Sequence, residues 1–205
     1  MMNMSEQLFG KYSMEGLEIK DKSLAQVISL KPVAVPHTFG RHSRKSLGKM
    51  QVNIVERLAN KLMRGGTGEK TSGKVIRTKG QMQGKKLKAL KVMEEALGLV
   101  EAEAKRNPIQ VLIEAVQNSA PREDTTRVSY GGVSYQIAVD ISATRRLDMA
   151  LRNMALAALM QTFNKPKSLA RSLADEIVNT AKGDIQTSYA MKKRDETERM
   201  ARSAR

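Results

Sequence analysis

Asn107-Pro-Ile-Gln-Val-Leu-Ile-Glu-Ala-Val-Gln-Asn-Ser-Ala-Pro-Arg-Glu-Asp124 carries the transition between the two kinds of structure in this chain. Asn107 can cap a helix, and Pro108 suits its first turn because the missing N–H would have no partner there. Ile109, Leu112, Ile113 and Val116 then recur at helical spacing. At Pro121 the pattern changes. Residues 125–130 and 133–141 are rich in β-branched and tyrosine side chains, and Gly131-Gly132 lies between them. Two strand-like runs around a Gly-Gly pair predict a β-hairpin. A lone hairpin is only marginally stable in water, so this one is expected to project as an arm from a helical body.

Working outward, helix resumes after Ser142, with Leu147, Leu151, Met154, Ala158 and Leu159 on one face. A loop holding Lys165, Pro166 and Lys167 ends at Ser168, a second cap, for a helix through Lys182 that Gly183 can close in the left-handed conformation. From Ser188 onward, helix rests on opposite charges four apart more than on an apolar face. Upstream, a helix over about 85–105 places Leu87, Leu90, Met93, Leu97 and Val100 on its apolar side. A shorter one beginning near Val52 uses Val55, Leu58 and Leu62. Between these two lies a glycine-rich basic stretch, residues 65–84, read as a flexible loop. Residues 1–50 show no sustained period and are expected to be an N-terminal extension ordered partly by a partner, with 51–205 the helical domain. The fold class is mainly α. Aromatics make up only 3% of the chain and Trp is absent, which suits an Ala/Leu/Met bundle better than a β-sandwich.

Charge is distributed unevenly. Of the formal net +15, nearly all sits in residues 31–91, where 16 Lys or Arg face two acids, Glu56 and Glu69. Such a lopsided field repels itself, and a polyanion is its natural partner, because each neutralised phosphate releases counterions. The candidate RNA contacts are Arg41, Arg44, Lys45 and Lys49 on the extension and Arg57, Lys61 and Arg64 along the first helix. Lys74, Arg77, Lys79, Lys85, Lys86 and Lys88 follow from the glycine-rich stretch into the next helix. Arg122, Arg145, Arg146, Lys165 and Lys167 complete the set. On the hairpin, Arg127 with Tyr130 and Tyr135 could meet unpaired bases by charge and stacking, although the tyrosines could equally be cross-strand packing.

Other chemistries find little support. Gly68-Glu-Lys-Thr-Ser-Gly-Lys74 has a phosphate-loop frame, but Val75 stands where Ser or Thr should hold magnesium, and a helix precedes it instead of a strand. The chain has no cysteine, and His37 and His42 are its only histidines, so no metal set assembles and no cofactor is expected. Adjacent acids such as Glu94-Glu95 and Asp175-Glu176 diverge around a helix and do not converge on a substrate. The longest apolar run, residues 154–160, is too short to cross a membrane, for which roughly 20 residues are needed. The expectation is a cytoplasmic protein with no catalytic activity.

The quoted block, together with Val139-Asp-Ile-Ser-Ala-Thr-Arg-Arg146, Ser172-Leu-Ala-Asp-Glu-Ile-Val-Asn-Thr-Ala-Lys-Gly183 and Ser188-Tyr-Ala-Met-Lys-Lys-Arg-Asp-Glu-Thr-Glu-Arg199, resembles the small-subunit ribosomal protein seven family. The segment before Val52, including Gly40-Arg41, is similar to the archaeal and eukaryotic branch. The resemblance implies a six-helix bundle with a protruding β-hairpin arm. It implies binding to the 3′ major domain of small-subunit ribosomal RNA and nucleation of assembly of the subunit head. It places the hairpin near exit-site transfer RNA and the messenger exit channel, with neighbouring ribosomal proteins as further partners. The rival reading is a non-specific nucleic-acid packaging protein, which would bind DNA as tightly as RNA.

Overall fold

The computed structural model describes residues 7–65 and 81–205, together with the backbone alone of two short strands at 67–71 and 74–77. In chain order, the N-terminal part holds β1 (Gln7–Leu8), β2 (Tyr12–Ser13) and a single-turn α1 (Lys22–Ala25). The bundle consists of α2 (Ile54–Met63), α3 (Lys86–Ala104), α4 (Pro108–Ser119), α5 (Ala143–Thr162), α6 (Leu169–Lys182) and α7 (Tyr189–Ser203). The strands β3 (Thr67–Thr71) and β4 (Lys74–Arg77) pair between α2 and α3, and β5 (Glu123–Tyr130) and β6 (Val133–Asp140) pair between α4 and α5. The architecture is mainly α, with six bundle helices and a long hairpin.

Local chemistry sets the helix ends. Asn107 Oδ1 accepts the N–H of Ile109 at 3.0 Å, and Pro108 occupies the first turn of α4. Ser168 and Ser188 cap α6 and α7 through the N–H groups of Arg171 and Met191, each at 3.2 Å. Gly183, at φ 77°, closes α6. Ser142 stands at the start of α5 with no side-chain capping bond. At the centre, α6 packs against α3, α4 and α5, burying Leu173, Ile177 and Val178 among Leu97, Ile113 and Leu151.

Sequence periodicity and structure part in three places. Leu87, assigned to the apolar face of α3, is 72% exposed because none of the described residues covers that first turn. The stretch 65–84 is not all loop, since β3 and β4 form an antiparallel pair with an irregular register between Thr67 and Lys70. The side chains of Lys74, Arg77 and the rest of the Gly68–Lys74 frame, and all of Lys79, lie outside what is described. In the third place, the expected extension, residues 7–50 contribute Leu8, Tyr12, Met14, Leu24, Val27 and Ile28 to the bundle's core. This segment runs as an irregular strap. Phe9 N–H donates to Ala34 O at 2.8 Å, Ile54 N–H to Ser29 O at 3.2 Å, and Asn107 Nδ2 to Ser13 O at 2.9 Å.

Candidate nucleic-acid interface

Three buried or half-buried carboxylates take up several of the candidate cations. Asp148, on α5, draws three of them: Lys49, Arg57 at 3.2 Å and Lys61 at 3.5 Å. Arg57 is only 3% exposed and also donates to Val27 O at 3.3 Å, so it joins the strap to the bundle. Burial pulls the Arg57 and Lys61 values down while Asp148 opposes the shift. Burial in turn raises Asp148, but its three cations outweigh this and hold it below the ordinary carboxylate value. A second centre is Glu56, 1% exposed. Its Oε1 accepts from Lys86 at 2.7 Å and from the Thr38 N–H and hydroxyl, both at 2.9 Å. Burial opposes ionisation here too, and these donors overcome it to keep Glu56 a carboxylate. The third is Asp21, which pairs with buried Arg146 at 2.8 Å, while Arg146 also bonds Ser23 and donates to Pro121 O at 3.1 Å.

Arg57, Lys61, Lys86 and Arg146 thus have their charge satisfied inside the protein, and the exposed Lys49 pairs with Asp148 at the surface. Lys167 pairs with Asp175 at 2.5 Å, and Arg145 with Asp124 at 3.2 Å at the foot of the hairpin. A different set is exposed with no carboxylate in ion-pair reach among the described residues: Arg41, Arg44, Lys45, Arg64, Lys85, Lys88, Arg122, Arg127 and Lys165. The Thr38–Glu56–Lys86 junction gathers several of these. It fixes the turns bearing Arg41, Arg44 and Lys45 beside α2 and the start of α3, where Lys85 and Lys88 point to solvent.

The hairpin has two unlike faces. Its register pairs Tyr130 with Val133, Val128 with Tyr135, and Thr126 with Ile137, and the two-residue turn Gly131-Gly132 has φ of 59° and 81°, as a type I′ turn needs. Alternation therefore puts Val128, Tyr130, Val133, Tyr135, Ile137 and Val139 on one face, all exposed. Arg127 lies on the opposite, polar face with Ser129, Ser134 and Gln136. The structure does not bring Arg127 and the two tyrosines to one surface.

Beneath the hairpin, a recess of about 520 Å³ is lined by Arg122, Arg146, Arg194, Arg202 and Arg205, with Asp21, Glu123 and Glu198 as counter-charges. Sequence reasoning missed Arg194 and Arg202 because Glu198, four residues from each, made them look self-paired, and it passed over Arg205, which follows α7. Only Asp195–Arg199, at 2.7 Å, is an ion pair of that spacing in α7, and Lys193–Glu196 forms three apart. Arg194 instead donates to Asn118 O at 2.6 Å, and Arg205 pairs with Glu123. The recurrence of arginine at 194, 199, 202 and 205 was the available signal.

Among the described residues no three His, Asp or Glu side chains converge as a metal site, and no helix is long and apolar enough to cross a membrane. A helical scaffold whose carboxylates lock some cations and leave others open presents a basic surface of the class that suits a polyanion. Comparison with known proteins gives the family. Residues 24–205 match the model of ribosomal protein S7p/S5e. The chain is similar to the small ribosomal subunit protein uS7 of Methanococcus maripaludis, at 48% identity over 202 residues, covering 98% of this chain and all of that protein. The protein of the same name from Methanococcus vannielii is 48% identical over 198 residues, 97% of this chain and 95% of the relative. The chain belongs to the ribosomal protein S7p/S5e family, and it is a structural protein of the ribosome, not an enzyme.

Proposed function

We propose that this protein binds the 3′ major domain of small-subunit ribosomal RNA and nucleates assembly of the subunit head. The observation that carries this reading is the segregation of cations. The exposed Arg41, Arg44, Lys45, Arg64, Lys85 and Lys88 have no carboxylate partner among the described residues, and they surround a junction that Glu56 makes rigid. Fixed cations at the meeting of several elements suit a folded RNA junction, where phosphates position the protein and shape gives specificity. Lys74, Arg77 and Lys79 extend the same basic segment in sequence and are assigned to this interface on charge.

The hairpin serves a second contact, near exit-site transfer RNA and the messenger exit channel. Its polar face, with Arg127, suits nucleic acid, and its exposed apolar face suits a neighbouring ribosomal protein. Replacing residues 124–139 by a short glycine linker in the full chain tests the division. Binding to the 3′ domain should persist, while crosslinks from the assembled subunit to exit-site transfer RNA should disappear. Loss of 3′-domain binding in a folded variant would refute the assignment of separate roles.

A further inference from the structure

The turns at 36–52 enclose a recess of about 380 Å³, at the small end of ligand pockets and of a size for one nucleotide. Among the described residues no acidic side chain lines it. Lys31, Arg41 and Lys45 bring positive charge, and Phe39, His37 and His42 bring rings. Phe39 is 73% exposed and takes φ of 50°, a left-handed conformation that bulky residues avoid. His37 lies 4.1 Å from its ring, tilted by 34°, and the Arg41 guanidinium sits 5.7 Å from its centroid. An aromatic ring held out to solvent in a costly backbone state, beside an imidazole and with a cation over it, has the features of a stacking platform.

The hydrogen bonds also fix the two imidazoles. Phe39 N–H donates to His37 Nδ1 at 2.9 Å, so the proton of neutral His37 is on Nε2, a free donor. The Thr38 hydroxyl is 2.9 Å from Glu56 Oε1 and 3.1 Å from His42 Nδ1. Its single proton goes to the carboxylate, so His42 must donate from Nδ1, and neutral His42 keeps Nε2 as an acceptor. One ring offers a donor and the other an acceptor, the complement of a base edge that carries both.

We propose that this recess captures one unpaired ribonucleotide, its base stacked on Phe39 and read by His37 and His42, its phosphate held by Arg41 and Lys45. The proposal rests on the RNA-binding reading and adds a site to it. Because the chain holds only two histidines, ring NMR signals of the full-length protein report on the recess directly. Titration with adenosine 5′-monophosphate should shift both histidine signals, and ribose 5-phosphate should leave them nearly unmoved. Phe39→Leu, at an exposed position, should keep the fold and lower affinity for 3′-domain RNA about tenfold, the scale of one lost stack. Equal shifts from ribose 5-phosphate would mean a phosphate site only. Stronger shifts from an acidic peptide would mean a protein partner. Either result overturns the proposal, as does wild-type RNA affinity in Phe39→Leu. That last result would leave ribosomal RNA binding intact, whereas wild-type protein that failed to prefer the 3′ domain would refute the underlying reading instead.

Discussion

Lys86 and Lys88 are two residues apart, equally basic, and predicted to behave in opposite ways. Lys86 Nζ lies 2.7 Å from Glu56 Oε1 and 2.6 Å from Asn60 Oδ1, whereas Lys85 and Lys88 are exposed with no carboxylate in reach among the described residues. In Lys86→Ala, Glu56 would be left at 1% exposure without its cation and with only the Thr38 donors on Oε1, while its Oε2 already has no partner. Removing one partner of a buried pair costs about 3–5 kcal/mol, and the partial exposure of Lys86 places this case near the lower figure. For a chain of 205 residues, a loss of about 3 kcal/mol lowers Tm by roughly 6–12 °C. The double variant Lys85→Ala/Lys88→Ala should melt like wild type and bind RNA with a weaker salt dependence. Two lost phosphate contacts reduce the slope of log K against log salt by about 1.4–1.8. All three lysines together should therefore remove about two contacts, not the three that sequence alone suggests. Thermal melts with filter binding across a salt series read both quantities. If Lys86→Ala melts like wild type and flattens the slope as much as Lys88→Ala, Lys86 is on the RNA and the pairing argument is wrong.

Asp148→Ala should cost at least as much stability as Lys86→Ala, because it strands the buried Arg57 and frees Lys49 and Lys61; chemical denaturation measures it, and a loss near zero would contradict the three-cation centre. Burial works against Asp21, but the bonds from Arg146 and Ser23 prevail and hold it at about 2, below its ordinary 3.8. A depressed folded value stabilises fully above the unfolded one, so this contribution fades as pH falls from 3.8 toward 2, and Asp21→Asn should flatten that limb of a pH–stability curve. Glu176, fully buried, behaves oppositely. Burial pushes its carboxyl up despite the N–H of Ala190 and the hydroxyl of Ser188, so its anion costs stability as pH rises past the ordinary 4.5. Glu176→Gln should gain stability at neutral pH and lose that gain below pH 4.5, in paired urea titrations.

The bundle was legible wherever one face of a helix is apolar and a cap marks its start, as at Asn107, Ser168 and Ser188. The hairpin was legible because β-branched residues flank a Gly-Gly turn. Leu87 misled because periodicity says which side a residue takes and not whether anything covers that side. The strap formed by residues 7–50 was illegible for a related reason. Leu8 reaches the core from a strand of two residues, and Met14 and Ile28 from irregular backbone, neither of which has a period to read. Among the basic residues, composition showed the charge but not its disposition. The deciding partners are remote in sequence: Glu56 is 30 residues from Lys86, Asp148 is 91 from Arg57, and Asp21 is 125 from Arg146. Only the fold separates cations that hold the protein together from those left for RNA.

The most direct test of that separation is a binding titration at several salt concentrations with the 3′ major domain RNA, an unrelated structured RNA of equal length, and duplex DNA. The account predicts a preference of roughly a thousandfold for the 3′ domain at physiological salt, the scale of specific nucleic-acid sites. Equal affinities for all three, collapsing together as salt rises, would contradict it and leave a protein that packages nucleic acid by charge alone.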